Sequence, residues 1–258
     1  MMFGARQAIG VAIAAAVLTT TISACEGSPQ SAAGTTKAAA RPVGNPLKGL
    51  TSYQIIRQAF ANTEASTSVQ ITGNVFKSGQ STRLSSLSLV NGGSGCVGDI
   101  YRSGVGGFQL LYDGTTAWIL PTSEYWLTAG NGHPAAVGKL EGKYLQLTPG
   151  GADTPDNLGE LVSLCSLQTL VGTGPSPARR TGIGEPTTTV VGGVPALKML
   201  DTADGGYLTV SNLTNPRLLS FFVPGRNGAS FSIRYFGTPV TLGPPPPANV
   251  VDGAQYGF

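Results

Sequence analysis

The segment SVQITGNVFKSGQSTRLSSLSLVNG, residues 68–92, contains two runs of alternating apolar and polar residues. The apolar positions are Val69, Ile71 and Val75 in the first run and Leu87 and Leu89 in the second. A period of two is typical of a strand with one buried side and one solvent-facing side. Ser78-Gly79 and Asn91-Gly92 follow the two runs, and glycine supplies the positive φ that tight hairpins need. The segment therefore predicts two antiparallel strands.

The same pattern continues along the chain. Trp118 and Leu120 follow Thr116, and Phe231, Ile233 and Tyr235 alternate with polar residues. Further hairpin signals are Asp113-Gly114, Asp204-Gly205 and Asn227-Gly228. We expect an antiparallel meander that a helix interrupts, that resumes over residues 182–242, and that ends in an extended proline-rich tail.

Two helices are predicted. Thr51 and Gln54 have the spacing of a capping box, and Tyr53, Ile56 and Phe60 share the face of a helix that ends near Asn62. The second helix begins near Thr154-Pro155 and runs to about Val171. It has four inward positions: Leu158, Leu161, Val162 and Cys165.

Composition excludes several classes of function. Charged residues make up 11% of the chain, against about 25% in ordinary globular proteins. The net charge of +3 comes from scattered residues, so we expect no nucleic-acid partner. His133 is the single histidine and lies in a turn-like segment, so the sequence offers no histidine-based triad. We therefore predict a protein that is not an enzyme and that uses no cofactor or metal.

The N-terminal sequence has the features of an export signal. Arg6 precedes an uncharged apolar run from Ala8 to Leu18, which is shorter than the roughly 20 residues that span a bilayer. Ile22-Ser23-Ala24-Cys25 follows and resembles the bacterial lipobox, in which the cysteine thiol receives a diacylglyceryl group and becomes the first residue after cleavage. The resemblance implies a lipid anchor at Cys25 on the extracytoplasmic face of the cell membrane, because two acyl chains give stable anchoring.

These signals divide the chain into four segments. Residues 1–24 form the signal peptide, and residues 25–48 form a flexible tether rich in Ser, Ala, Gly, Thr and Pro. Residues 49–243 form one β-rich domain, and residues 244–258 form the tail.

Cys96 and Cys165 remain once Cys25 is assigned to lipid. An even pair of cysteines in an oxidising compartment predicts a disulfide bond, and two separate buried thiols are the alternative.

The order of these motifs resembles a known family. After the lipobox, the capped helix and the strands come Gly142-Lys143-Tyr144-Leu145-Gln146-Leu147, Gly206-Tyr207-Leu208-Thr209-Val210 and Asn215-Pro216-Arg217-Leu218-Leu219. The arrangement is similar to actinobacterial cell-envelope lipoproteins of the mycobacterial LppX/LprG group and, more distantly, to the periplasmic carrier LolA. The resemblance implies an α+β fold: a strongly bent antiparallel β-sheet, or half-barrel, with helices packed on its concave face. It also implies a monomer that binds acylated lipids between sheet and helices and moves them.

The alternating residues supply a candidate ligand-binding wall, which we call the predicted wall. Its members are Ile56, Phe60, Ile71, Val75, Leu87, Leu89, Trp118, Leu120, Leu161, Phe231 and Ile233. These residues line either an apolar cavity or a filled core, and the sequence does not distinguish the two. The cavity corresponds to a lipid carrier or chaperone. The filled core corresponds to the alternative function, a lipid-anchored interaction or sensor module that binds an envelope protein.

Overall fold

The computed structural model describes residues 44–77, 79–90, 93–129, 138–147, 159, 162–171 and 182–252. Within them the fold is α+β and dominated by one open, curled sheet of twelve strands. The strands are β1 Ser68–Lys77, β2 Gln80–Val90, β3 Gly95–Arg102, β4 Gly106–Tyr112, β5 Ala117–Pro121, β6 Tyr144–Leu147, β7 Thr187–Val191, β8 Val194–Leu200, β9 Tyr207–Ser211, β10 Leu218–Val223, β11 Ala229–Arg234 and β12 Val250–Asp252. The α-helices are α1 Ser52–Glu64, α2 Ser123–Ala129 and α3 Leu167–Val171, and a 3-10 turn spans Pro247–Asn249.

The strand order is β12-β6-β5-β4-β3-β2-β1-β11-β10-β9-β8-β7. Two antiparallel meanders, β1 to β6 and β7 to β11, are joined where β1 pairs with β11. Within β1 and β2, Ile71 faces Leu87 and Val69 faces Leu89, as the alternation in the sequence predicts. The predicted meander is therefore confirmed for both halves, with β12 as a parallel addition beside β6.

One side of the sheet, which we call the core face, carries the main apolar core. Ile71, Leu87, Leu110 and Ile119 from this face belong to the same buried cluster as Ile56 on α1. Helix α1 contacts β9 and β10, and α2 contacts β4 and β5. The opposite side, which we call the outer face, carries the polar alternating residues of β1 and β2.

Helix α1 begins as predicted. The Thr51 hydroxyl accepts a hydrogen bond from the Gln54 backbone at 3.3 Å, and the Gln54 side chain accepts one from the Thr51 backbone at 2.8 Å. This reciprocal capping box satisfies two amides that the first helical turn leaves without partners. The helix ends at Glu64, two residues beyond the predicted end at Asn62.

The second helix was predicted as one continuous element, and this prediction is wrong. Val162 and Ser163 are helical, Leu164 and Cys165 form a turn, and α3 begins anew at Leu167. The reason is local capping: the Ser166 hydroxyl accepts a hydrogen bond from the Thr169 backbone at 3.3 Å, which starts a separate helix. The predicted start at Thr154-Pro155 and the inward residues Leu158 and Leu161 lie outside the described residues.

A helix that the sequence analysis missed follows β5. The Thr122 hydroxyl accepts a hydrogen bond from the Tyr125 backbone at 3.3 Å, and Glu124 occupies the first turn of α2. A threonine followed by an acidic residue is a common start of a helix. That signal was present but was obscured by the run of aromatic residues Tyr125-Trp126.

The proline-rich segment is not a tail beyond the fold. Residues 235–249, which we call the strap, leave β11 and lead to β12, which pairs with β6 beyond five intervening strands. Gly237 donates a backbone hydrogen bond to Ser68 at 2.9 Å, and the Lys143 ammonium donates one to Ala248 at 2.8 Å. The strap therefore crosses the sheet, and the strand that follows it extends the fold to Asp252.

The strap lies on the outer face. Cys96 belongs to the core, so its neighbour Gly95 points to the other side of β3. A Cβ added to Gly95 would lie 2.4 Å from Leu242 Cδ1, which places the Leu242 side chain against the outer face. Pro245 is buried as well. The outer face of the first meander is thus partly covered by the C-terminal segment.

Candidate functional site

The predicted wall is largely assembled by the core face. Ile71 lies between Leu87 on β2 and Ile233 on β11, and all three are fully buried. Phe231 on β11 stacks against Phe221 on β10 with ring centroids 6.4 Å apart. Seven of the predicted residues share the buried cluster, and Val75 is half-buried against it: Ile56, Phe60, Ile71, Leu87, Leu89, Phe231 and Ile233.

Trp118 and Leu120 are wrong as members of this wall. On β5 the core face carries Ala117 and Ile119, which pair with Leu147 and Leu145 of β6. Trp118 therefore lies on the outer face, where it is 5% exposed, and half-buried Leu120 lies there with it. The cause is that β5 reads Ala-Trp-Ile-Leu-Pro without a polar residue, so the alternation does not distinguish its two faces.

Leu161, the last residue of the predicted wall, lies outside the described residues, as does Cys25. His133 lies outside them too. The structure therefore leaves the predicted roles of these three residues as they were.

Helix α1 is held at both ends by hydrogen bonds to the second meander. Ser52 near its start donates to the Gly184 carbonyl at 2.8 Å. Asn62 near its end donates to the Pro216 carbonyl at 2.9 Å, and the Thr63 hydroxyl accepts from the Leu218 backbone at 3.0 Å. Between these ends the buried face of α1 is apolar, with Ile56, Ala59 and Phe60. Polar contacts thus fix the helix ends, and apolar contacts alone occupy the buried middle.

The disulfide between Cys96 and Cys165 is present. The two Cα atoms are 5.4 Å apart, and the bond joins β3 to the turn before α3. Gly93 lies against the same turn, because a Cβ at this position would be 2.8 Å from the Cys165 carbonyl oxygen. Both sulfur-bearing residues are buried, so the bond fixes the α3 region onto the core face.

Several residues of the buried cluster were missed by the sequence analysis. Trp126 on α2 is buried in the cluster beside Tyr125, whose ring meets Phe108 edge-on at 5.5 Å. Burial raises the pKa of Tyr125, because the interior disfavours the charged phenolate. Ile119 and Leu145 belong to the cluster as well.

The chemistry of this site is apolar. Within the described ranges, no group of three or more His, Cys, Asp or Glu side chains lies close enough to hold a metal ion. A ligand in this region would be held by burial of hydrocarbon surface rather than by charge or coordination. In the part of the chain that the structure describes, no helix has the length and apolarity to cross a membrane.

Two clefts are lined by described residues. One of about 310 Å³ lies on the exposed side of α1 and is lined by Gln54, Arg57, Gln58 and Ala61. The other, of about 440 Å³, lies between the strap and the outer face and includes Tyr235. Neither cleft includes a residue of the predicted wall.

Comparison with known proteins gives no family assignment. No family model matches the chain, and no curated protein matches it. Among solved structures, an uncharacterized conserved protein from Thermus thermophilus matches with a TM-score of 0.35 and 12% identity, covering 77% of this chain and 97% of the other. At this level of similarity the match carries no argument about fold or function.

Proposed function

We propose that this chain is a lipoprotein anchored at Cys25 to the extracytoplasmic face of the cell membrane, and that it binds and carries acylated lipids. In this proposal it is a monomeric, non-enzymatic carrier of the LppX/LprG and LolA type. The sheet is a half-barrel whose concave side holds the helices. The lipid lies between α1 and the core face.

The observation that carries the proposal is the way α1 is attached. Three side-chain hydrogen bonds connect α1 to Gly184, just before β7, and to Pro216 and Leu218 at the start of β10. Ile56 and Phe60 in the middle of the helix belong to the same apolar cluster as buried residues of β1, β2 and β11. An acyl chain can therefore separate Ile56 and Phe60 from the first meander without breaking these polar contacts.

The energetics suit an acyl ligand. Burial of hydrocarbon stabilises a complex by roughly 25 cal/mol per Å², or about 0.8 kcal/mol for each methylene. The apolar side chains in question are packed together in the structure, so a lipid must replace contacts of the same kind. Exchange of one apolar contact for another costs little, provided that the polar ends of α1 stay paired.

The anchor is tested by replacing its thiol. We expect Cys25→Ser to lose the label when cells are grown with an alkyne fatty acid, because no thiol remains to be alkylated. Cys96→Ser is the matched control, since Cys96 is held in the disulfide, and it should keep the label. Equal labelling of Cys25→Ser and wild type contradicts the anchor.

The ligand site is tested by filling it. Leu89 is fully buried on β2, and Leu200 on β8 is 49% exposed. We expect Leu89→Trp to lose a fluorescent fatty-acyl probe that the wild type binds, because the larger side chain occupies the acyl site. Leu200→Trp adds the same bulk on the surface and should bind the probe like the wild type.

A second candidate function is an interaction module, and two observations favour it. The wall residues Ile56, Ile71 and Leu87 are fully buried, as in a filled core. Strand β7 is an edge of the sheet and carries exposed Val190, at 66%, with three threonines and no charged residue. Such an edge is suited to pairing with a strand from another protein.

The same variant separates the two functions. In a filled core, Leu89→Trp overpacks the interior and lowers the free energy of unfolding by about 1–3 kcal/mol. If the wild type binds no acyl probe and Leu89→Trp is destabilised by this amount, the carrier is contradicted and the interaction module is favoured.

A further inference from the structure

The cleft between the strap and the sheet is built differently from the interior. It has a volume of about 440 Å³ and opens on the outer face of β1 and β2. Gln70 and Ser88 form its floor, and Tyr235, Thr238 and Pro239 of the strap form its wall. None of the lining residues is Asp, Glu, His, Lys or Arg. This volume is in the usual range for a small ligand, and the lining suits an uncharged one.

Tyr235 has an unusual backbone. Its φ is 51°, and within the described ranges it is the only residue other than glycine with a positive φ. A bulky residue in this region is strained, whereas glycine adopts the conformation freely. The phenol ring is 63% exposed, so it gains little from packing. The strain at Tyr235 is thus not offset by burial of its own ring.

The neighbouring residue explains the direction of the Tyr235 ring. Phe236 packs against the core, and the Arg217 guanidinium lies 5.0 Å above its ring. With Phe236 held inward, the backbone turns at Tyr235 and directs its ring to the cleft. Backbone strain at a residue whose side chain faces an open cleft is typical of binding sites.

The floor of the cleft supplies hydrogen-bonding groups. The Gln70 amide and the Ser88 hydroxyl make no side-chain hydrogen bond to other residues that the structure describes. The Gln70 amide donates and accepts, as does the Ser88 hydroxyl.

We propose that this cleft binds a neutral saccharide. The C–H face of a sugar ring stacks on Tyr235, and the hydroxyls of the sugar exchange hydrogen bonds with Gln70 and Ser88. Uncharged groups that both donate and accept suit the paired donor and acceptor character of hydroxyls. Because the cleft is on the outer face, the saccharide site is independent of the lipid site proposed on the core face.

Binding is tested with the full-length chain, purified in a detergent that lacks a sugar headgroup so that the detergent does not compete. The probe is an array of short unbranched neutral oligosaccharides of glucose, mannose, galactose and arabinose. We expect the wild type to bind at least one of them, and the affinity is then measured with a fluorescent form of that oligosaccharide.

The decisive variant is Tyr235→Gly. It removes the ring and also relieves the backbone strain, so we expect an affinity lower by about tenfold with an unchanged or higher melting temperature. Tyr235→Trp keeps an aromatic face and should retain binding. Tyr101→Ala, which removes a tyrosine on the outer face away from the cleft, should bind like the wild type.

Three outcomes overturn the proposal. The first is that the wild type and Tyr235→Gly have the same affinity for every oligosaccharide tested. The second is that Tyr101→Ala loses as much affinity as Tyr235→Gly. The third is that Tyr235→Gly lowers the melting temperature along with the affinity, which assigns the ring a structural role.

Discussion

Strands β1 and β5 belong to the same meander but differ in what covers their outer face. On β1, Gln70 and Thr72 are half-buried and polar, and Ile71 between them faces the core. On β5, Trp118 is almost fully buried on the outer face, and Ile119 is buried on the core face. The strap lies against the outer face at Gly95 and continues past β5 to reach β6.

This difference explains under which condition a period of two in the sequence identifies the buried side of a strand. The alternation is clear only where water marks one face, as along β1 and β2. Where a second layer covers the outer face, both faces become apolar and the pattern disappears. Strand β5 is such a case, and its partners β4 and β6 determine which of its residues face the core.

The largest expected effect concerns β3, where Cys96 faces the core. Replacing both cysteines, Cys96→Ser with Cys165→Ser, opens a cross-link between residues 69 positions apart. We expect a loss of about 4 kcal/mol in the free energy of unfolding, measured in urea, because the unfolded chain gains freedom. Wild type treated with reductant is the control and should match the variant. A loss below about 1 kcal/mol contradicts a disulfide that fixes α3 to the core face.

The next effect compares two neighbours on β5. Ile119→Ala removes a side chain that is 1% exposed on the core face, so we expect it to cost about 3 kcal/mol in urea unfolding. Leu120→Ala removes a half-buried side chain of equal size from the outer face and should cost about 1 kcal/mol. A larger loss for Leu120→Ala than for Ile119→Ala would mean that Leu120 faces the core, as the sequence alone suggested.

A smaller effect tests the cover over the outer face. Gly95→Ala places a methyl group against Leu242 and 2.7 Å from the Tyr112 carbonyl oxygen. We expect a loss of about 1–3 kcal/mol in unfolding free energy, because the strap or the strand must shift. Gly44→Ala is the control, since a Cβ there meets nothing within 4 Å. If Gly95→Ala is as stable as Gly44→Ala, the strap does not press on this face.

Much of the fold followed from local chemistry. The capping box at Thr51 and the alternation in β1 and β2 depend on neighbours in sequence, and both were confirmed. Of the predicted glycine turns, Gly79, Gly114 and Gly205 have the expected positive φ, whereas Gly225 rather than Gly228 has it between β10 and β11, and Asn91-Gly92 lies outside the described residues. The parallel pairing of β12 with β6 joins segments about 100 residues apart and has no local signal. Four prolines in a row predicted an extended chain but not the surface on which it lies.

The predicted wall was likewise correct only where the local sequence carries a signal. Ile71, Leu87 and Ile233 were placed correctly on the buried face because polar neighbours mark their strands. Trp126 was missed because the helix that carries it is only seven residues long, so its cap at Thr122 gave a weak signal and contacts with β4 and β5 add to its stability. Tyr235 was counted among the alternating residues, and its strained backbone becomes visible only in three dimensions.

The most direct test of the lipid site uses the two tryptophans of the chain, which lie on opposite faces of the sheet. A fatty acid brominated on its acyl chain quenches only a tryptophan that it contacts. We expect it to quench fluorescence in Trp118→Phe, where Trp126 on the core side remains. It should leave Trp126→Phe unquenched, because Trp118 lies on the outer face. Quenching of Trp118 alone, or of neither tryptophan, would contradict an acyl chain in the apolar cluster that Trp126 shares with Ile56 and Phe60.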